Sequence, residues 1–291
     1  MQITKILSGS ITAEENGKFY KCSIRGNLRR DIKISVGDYV DFEFNPHKEG
    51  SIIVKGVKPR ENCLVRPYVS NVDILIIVVT IKPMPDFGLV DALLINCEQM
   101  GIMPIIVISK YDTIKGDFYE CVQFQYGKVC EHIIPVSAQT GFNIDKLQEL
   151  LKGKLSVLAG QSGVGKSTLI NALLGLNQEV GELGEKICRG RHTTRLNEIF
   201  VSDSDVRIAD TPGFSRLEVT KVTPDQLKDY YLDFHPYNEK CAFKDCSHIN
   251  VDPRMCGVIQ ALKSGKIDAS RYLRYTDIYF KLKEKWEKRY D

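Results

Sequence analysis

One octapeptide narrows the fold more than any other stretch of this chain. Gly160-Gln161-Ser162-Gly163-Val164-Gly165-Lys166-Ser167 lies between an apolar run, Leu155 to Leu158, and a segment of helical spacing, Ser167 to Leu174. The pattern G-x-x-x-x-G-K-[ST] has physical meaning only where a strand delivers a glycine-rich loop to the start of a helix, and a chance glycine-rich turn would lack that register. The glycines let backbone N–H groups curl around phosphate oxygens, and the helix N-terminus adds partial positive charge. Lys166 is then placed to reach the β- and γ-phosphates of a nucleotide and Ser167 to ligate Mg²⁺, with Thr168 beside them.

The surrounding sequence supplies the sheet that such a loop requires. Apolar runs at Ile74 to Thr80, Ile105 to Ile108, His132 to Val136 and Leu155 to Leu158 precede the pair Leu196 to Val201 and Val206 to Ala209. Helical segments around Val90 to Gln99, Phe118 to Tyr126, Ile144 to Leu151 and Ser167 to Leu174 alternate with them. Continuous Val/Ile/Leu strands belong to sheets covered on both faces, so residues 67–214 are expected to form an α/β domain with a mostly parallel sheet. Before it, Ile3 to Ile11, Lys18 to Ile24, Tyr39 to Phe44 and Ser51 to Val57 read as short strands separated by glycine-containing turns. An OB-type β-barrel over residues 1–66 is the natural closure, because curling hides the strand edges. The basic stretch Arg25 to Lys33 between those strands suits a phosphate backbone or is simply a solvated loop.

Composition excludes several classes. With 291 residues, 43% hydrophobic and 26% charged, the chain has material for a sizeable core and is not a disordered or fibrous sequence. The longest apolar run, Ile74 to Ile81, is far short of the roughly 20 residues that span a bilayer, and the N-terminus is polar. A soluble cytoplasmic protein without a membrane partner is expected. A net charge of +3 leaves any polyanion to be met by local patches.

Nine Cys, an odd number, fit a reducing compartment in which thiols ligate metal or pack as small apolar groups. Cys241, Cys246, His248 and Cys256 give C-x(4)-C-x-H-x(7)-C, three thiolates and an imidazole that close a tetrahedral set around one structural zinc. Cys22, Cys63, Cys97, Cys121 and Cys188 are scattered and read as packing. Residues 215–291, where strands cease, form a third unit, α-helical and zinc-binding, with a terminal helical stretch from Ala269 to Tyr290. There Arg271, Arg274, Lys281, Lys283, Lys285, Lys288 and Arg289 interleave with Tyr272, Tyr275, Tyr279 and Trp286. Such a face clamps RNA through phosphate contacts and stacking, or belongs to an amphipathic helix whose aromatics point inward; the two readings suit different faces.

Three further motifs surround the phosphate loop. Asp210-Thr211-Pro212-Gly213 ends the second strand of the pair, where Asp210 can hold Mg²⁺ through water and the Gly213 N–H can meet a γ-phosphate. Ser109-Lys110-Tyr111-Asp112 follows an apolar strand and resembles the N-K-x-D guanine motif of GTPases, with Ser in place of Asn. There Asp112 would accept from the ring N–H and amine of guanine, and Lys110 would pack along the base. Ser137-Ala138-Gln139 resembles the S-A-K loop whose backbone N–H meets the guanine oxygen. A polar loop, Arg189 to Arg195, holds Thr193 and Thr194, either of which could complete the Mg²⁺ shell.

The base motifs precede the phosphate loop, the reverse of the ordinary order, and opening a parallel sheet at another surface connection leaves its buried contacts available. In this order, and with the flanking barrel and Cys/His set, the chain resembles the circularly permuted RsgA (YjeQ-type) GTPases of small ribosomal subunit assembly over essentially its whole length. The resemblance implies GTP hydrolysis to GDP and phosphate with Mg²⁺ and one structural zinc. It implies a monomer that binds the small ribosomal subunit and its rRNA through the flanking domains, with nucleotide state controlling binding and release and timing a late assembly step. Where Ras-like enzymes carry a water-orienting Gln after D-x-x-G, this chain has Phe214, and the resemblance assigns that role to His192. A metabolic P-loop kinase would leave the base motifs and the barrel unexplained, and an RNA-binding module with a vestigial site would not keep Gly165-Lys166-Ser167 and Asp210.

Overall fold

The barrel strands are β1 (Gln2–Leu7), β2 (Ser10–Glu15), β3 (Lys18–Ile24), β4 (Val40–Phe44) and β5 (Ser51–Val57). The computed structural model describes residues 1–7, 10–24, 33–65, 68–176, 197–210, 219 and 221–288. The run Ile3 to Ile11 is two antiparallel strands and not one, with Leu7 opposite Ser10. β2 and β3 turn at Asn16 and Gly17, both at positive φ, the backbone of a two-residue hairpin. The order β1-β2-β3-β5-β4 closes on itself through an antiparallel bridge from Gln2 to Tyr39 and a Val40 N–H to Met1 carbonyl bond of 3.0 Å. Ile3, Ala13, Val40, Ile52 and Val54 fill the barrel. Of the basic stretch, residues 25–32 lie outside the described residues.

A hairpin of β6 (Cys63–Val65) and β7 (Tyr68–Ser70) leads to the second unit. Its strands are β8 (Ile74–Val79), β9 (Met103–Ile108), β10 (His132–Pro135), β11 (Leu155–Ala159), β12 (Asn197–Val201) and β13 (Arg207–Asp210). Strands β10, β9, β8, β11 and β13 are parallel neighbours in that order, and β12 returns antiparallel to β13. Helices α1 (Phe87–Met100), α2 (Phe118–Tyr126), α3 (Ile144–Leu151) and α4 (Lys166–Leu173) cover the sheet. β8 shows why a continuous apolar run was needed. Leu75, Ile77 and Val79 pack into the core beneath α1 and α2, while Ile74, Ile76 and Val78 pack into the core beneath α3 and α4.

The barrel and this sheet are not separate. β1 pairs antiparallel with β12, Lys5 opposite Glu198, and their side chains form a 2.6 Å ion pair. Among the described residues one eleven-stranded sheet results, since a barrel edge and a sheet edge each present unpaired backbone groups that the other satisfies.

The third unit contains turns at Leu227–Tyr230 and Leu232–Phe234, then α5 (Gly257–Lys263) and the long α6 (Ala269–Glu287). Its core shares Ala92 and Ile95 of α1. Between them lies a buried ion cluster. Asp91 Oδ1 accepts from Arg271 Nη1 at 2.6 Å and Asp91 Oδ2 from Arg274 Nε at 2.6 Å, while Asp233 takes the other edge of Arg271 at 2.8 and 3.0 Å. The Arg271 guanidinium also lies 4.7 Å from the Tyr231 ring centre. Arg271 and Tyr275 are buried and Arg274 and Tyr272 mostly so, so these four serve packing and not an RNA clamp. The outer side of α6 still exposes Lys281, Lys283, Lys285 and Lys288. Cys130, a sixth thiol outside the Cys/His set, joins Cys97 in the core, whereas Cys188 lies outside the described residues. Among the described residues no helix is long and apolar enough to cross a membrane.

Removing one member of a buried ion cluster leaves the others charged and unpaired, at a cost of roughly 3–5 kcal/mol. Asp91→Ala should therefore lower the urea midpoint followed by fluorescence of Trp286, the single tryptophan, which lies in α6. Lys283→Ala on the exposed face of the same helix should leave it unchanged.

Candidate nucleotide and metal sites

Parallel strands present their C-terminal ends on one edge, and the loops that leave that edge make the first site. β11 lies between β8 and β13, so the segment Gly160 to Gly165 emerges at the centre. Gly160 has φ of 140°, and a Cβ there would run into the Val78 carbonyl; only glycine lets the loop leave β11 so close to β8. Gly163 and Gly165 are also at positive φ, and Gly165 directly precedes α4. Ser162, Gly163, Ser167 and Thr168 are exposed, while Val164 is buried and anchors the loop in the core beneath α4. Lys166 Nζ lies 2.6 Å from the Gly160 carbonyl and 2.7 Å from that of Gln161, and burial lowers its pKa from the usual lysine value. Gln161 reaches sideways, its Oε1 accepting the Asp86 N–H at 2.9 Å just ahead of α1, whose N-terminus the Asp86 carboxylate caps.

The base motifs come to the same edge from β9 and β10. Ser109 Oγ is 2.5 Å from the Val164 carbonyl and 3.2 Å from that of Val79. Lys110, at φ of 55°, places Nζ 2.6 Å from the Gly163 carbonyl, with its Cε 3.5 Å from where a Cβ of Gly165 would stand. Asp112 is exposed in the turn Tyr111–Thr113. Across from it, the Ser137 N–H donates to the Phe142 carbonyl at 3.1 Å and Ser137 Oγ accepts from the Thr140 N–H at 3.2 Å. A cavity of about 200 Å³ lies between these pieces, lined by Ser109, Lys110, Asp112, Ala138, Gln139, Gly165 and Thr168 among others. Thus residues 109–112, 138–139 and 165–168, remote in sequence, enclose one space beside the phosphate loop.

Asp210 closes β13, the parallel neighbour of β11, so its backbone ends on the same edge. His192, Thr193, Thr194 and Gly213 lie outside the described residues.

Cys241, Cys246, His248 and Cys256 bring their ligand atoms within 4.8 Å of one another. His248 Nδ1 is 3.6 Å from Cys241 Sγ and 3.5 Å from Cys256 Sγ, and those two sulfurs are 3.9 Å apart. Zn–S and Zn–N bonds of about 2.3 and 2.05 Å in a tetrahedron give edges of about 3.8 Å for S···S and about 3.6 Å for S···N. The set therefore fits zinc. Burial holds the His248 pKa down to about 4, which keeps the imidazole neutral, as a metal ligand must be. Tyr272 and Tyr275 of α6 donate to the His248 and Ser247 carbonyls at 2.6 and 2.7 Å. Sequence reasoning missed these tyrosine anchors, the Gln161–Asp86 link and the Asp91 cluster. Asp91 alone left a signal, a carboxylate inside the apolar stretch Leu89-Val90-Asp91-Ala92-Leu93-Leu94, which demands a buried cation.

Comparison with known proteins agrees with this geometry. The family profile described as RsgA GTPase matches residues 57–220, and that described as RsgA N-terminal domain matches residues 2–52. A protein of Thermotoga maritima named small ribosomal subunit biogenesis GTPase RsgA is 39% identical over 280 residues, covering 94% of this chain and 92% of that one. Its namesake from Alkaliphilus metalliredigens is 37% identical over 287 residues, covering 97% of each. Among solved structures, YjeQ from Thermotoga maritima superposes with a TM-score of 0.81 at 34% identity over 97% of both chains. YloQ, titled a circularly permuted GTPase, gives 0.79 at 28% identity over 98% of this chain and 94% of that one.

Elemental analysis of the purified protein should find one zinc per chain. Cys246→Ser should lose it and expose the amides of α6 to hydrogen exchange, because thiolate ligation supplies folding free energy to a small unit.

Proposed function

The chain belongs to the RsgA family of circularly permuted GTPases and is itself a GTP hydrolase; from that premise we propose that it acts on the small ribosomal subunit and lets nucleotide state time its residence there. The observation that carries this reading is the single cavity in which the Ser109–Asp112 segment and Ala138 meet the start of α4. Such an enclosure suits a guanine whose phosphates run back along Gly160 to Ser167.

In this reading Asp112 accepts from the ring N–H and exocyclic amine of guanine, and the Ala138 N–H meets its oxygen. Lys166, now within reach of the Gly160 and Gln161 carbonyls, turns its ammonium to the β- and γ-phosphates. Its partial burial favours that exchange, since a desolvated ammonium gains more from an anion than from neutral carbonyls. Ser167 and Asp210 would hold Mg²⁺, which when bound neutralises charge on the β- and γ-oxygens, and Thr193 or Thr194 would complete its shell. Gly213 offers its N–H to the γ-phosphate. His192 orients the attacking water through a neutral imidazole, since the residue after Gly213 is Phe214 and cannot hydrogen-bond through its side chain.

The units are 1–66, which binds rRNA, 67–214, which binds nucleotide, and 215–291, which holds the zinc; the protein works as a monomer in the cytoplasm at a late step of assembly. Hydrolysis releases Gly213 and the Thr193-Thr194 contact, and the chain runs from there directly into residues 215–291. The subunit-bound pose of the last unit therefore biases the site toward GTP, and by reciprocity GTP favours subunit binding. Lys281, Lys283, Lys285 and Lys288 are exposed along one helix and would meet phosphates there.

Asp112→Asn should weaken GTP binding and favour xanthosine triphosphate, read by competition binding; equal wild-type affinity for ATP and GTP would overturn the base assignment. His192→Ala should lower single-turnover hydrolysis by about 10²-fold or more with GTP affinity kept. Co-sedimentation should retain more protein on small subunits with a non-hydrolysable GTP analogue than with GDP, less as salt rises, and subunits should stimulate hydrolysis. Equal retention in both states would reject nucleotide control of residence.

A further inference from the structure

We propose that this protein recognises guanine without a hydrogen bond to the purine N7, and that Ser109 is the residue that sets this specificity. The inference rests on the guanine-binding reading above and concerns the same cavity.

The motif that Ser109 occupies carries Asn in the pattern it resembles. An Asn carboxamide has two N–H donors, so one can hold a neighbouring carbonyl while the other meets a ring nitrogen of the base. A serine hydroxyl has a single proton. Ser109 is only 4% exposed, and its Oγ stands 2.5 Å from the Val164 carbonyl and 3.2 Å from that of Val79. Both neighbours are acceptors, so the one proton is committed to the protein, chiefly to the phosphate loop. The hydroxyl therefore keeps the first task of the carboxamide, tying the base motif to the loop that holds phosphate, and leaves the second undone. Ser109 acts on the loop as a positioning residue and on the base by lacking a donor.

Two of the other side chains lining the cavity are already turned to carbonyls of the protein. Lys110 Nζ lies on the Gly163 carbonyl at 2.6 Å, and Thr113 Oγ1 donates to the Lys110 carbonyl at 2.8 Å. Gln139 lines the cavity from the loop after β10, beside Ala138, and Thr168 lines it from the first turn of α4, next to the phosphate loop. What remains is recognition through Asp112 at the ring N–H and amine and through the Ala138 region at the oxygen, both on the six-membered ring. The five-membered ring is held by shape alone.

The test compares GDP, 7-deaza-GDP, in which a C–H replaces N7, and ADP on the full chain. Wild-type protein should bind GDP and 7-deaza-GDP within about twofold, since no hydrogen bond is lost. Ser109→Asn should restore discrimination, binding GDP about five- to tenfold more tightly than 7-deaza-GDP, the size of one net hydrogen bond. A loss of fivefold or more for 7-deaza-GDP in the wild type overturns the proposal. So does a folded Ser109→Asn variant, competent for GDP, that treats the two ligands alike. If that variant fails to fold, the wild-type comparison decides by itself. Equal binding of GDP and ADP would instead refute the guanine reading, a separate outcome from either.

Discussion

The register of β11 between β8 and β13 is the constraint on which the rest of the molecule depends. Val157 stands opposite Leu75 on one side and Ala209 on the other, so the C-terminal ends of the three strands, Val79, Ala159 and Asp210, lie on one edge within three residues of each other. Two strands further along that edge, β9 and β10 deliver the base motifs at matching heights, with Ile108 opposite Val79 and Pro135. The order in which the chain visits these strands has no bearing on that geometry. A parallel sheet assembles its ligand site from strand ends, and strand ends are fixed by hydrogen-bond register and by cores on both faces. Permutation moves the surface connections and leaves the edge intact.

Permutation does change what is attached to the site. β13 ends at Asp210, and among the described residues the chain then passes to the unit with the Cys/His set and adds no further strand to the sheet. That unit is held against the nucleotide domain by α1, whose Ala92 and Ile95 join its core and whose Asp91 carries two guanidiniums of α6. The same helix begins beside the phosphate loop, where the Asp86 N–H bonds to Gln161. At the opposite side, β12 joins the sheet to the barrel through β1. Both flanking units therefore contact elements that border the nucleotide edge, and neither is tethered by a linker alone.

Two chemistries hold the third unit in shape. The Cys/His set, which fits a zinc ion, gathers a loop with little apolar material, and the aromatic group of Tyr231, Phe234, Tyr272 and Tyr275 packs beneath it, with two hydroxyls donating to carbonyls of that loop. A buried Tyr hydroxyl needs an acceptor, and a metal-binding loop has carbonyls that need donors, so each solves the other's problem.

Periodicity and motif chemistry made much of this visible in the sequence. Helices α2 and α3 and strands β3 and β5 have the bounds that their apolar spacing implies, because each buries its own regular face. The strand–loop–helix at Gly160 to Ser167 was legible because its backbone requirements are local, and the Cys/His cluster because ligand types at short spacing have few other uses. The division of Ile3 to Ile11 was obscured because alternating apolar residues on both sides of Ser8-Gly9 mimic one strand. What only tertiary structure decided are contacts between elements distant in sequence. The sharing of one sheet by barrel and nucleotide domain depends on which unpaired edge meets which. The inward use of Arg271 and Arg274 depends on a carboxylate 180 residues away on α1. The bond of Ser109 Oγ to the Val164 carbonyl at 2.5 Å joins segments 55 residues apart. Local sequence fixes the period of burial and the chemistry of a loop, but a hydrogen bond or ion pair across the fold exists only once both partners have been brought to the same place.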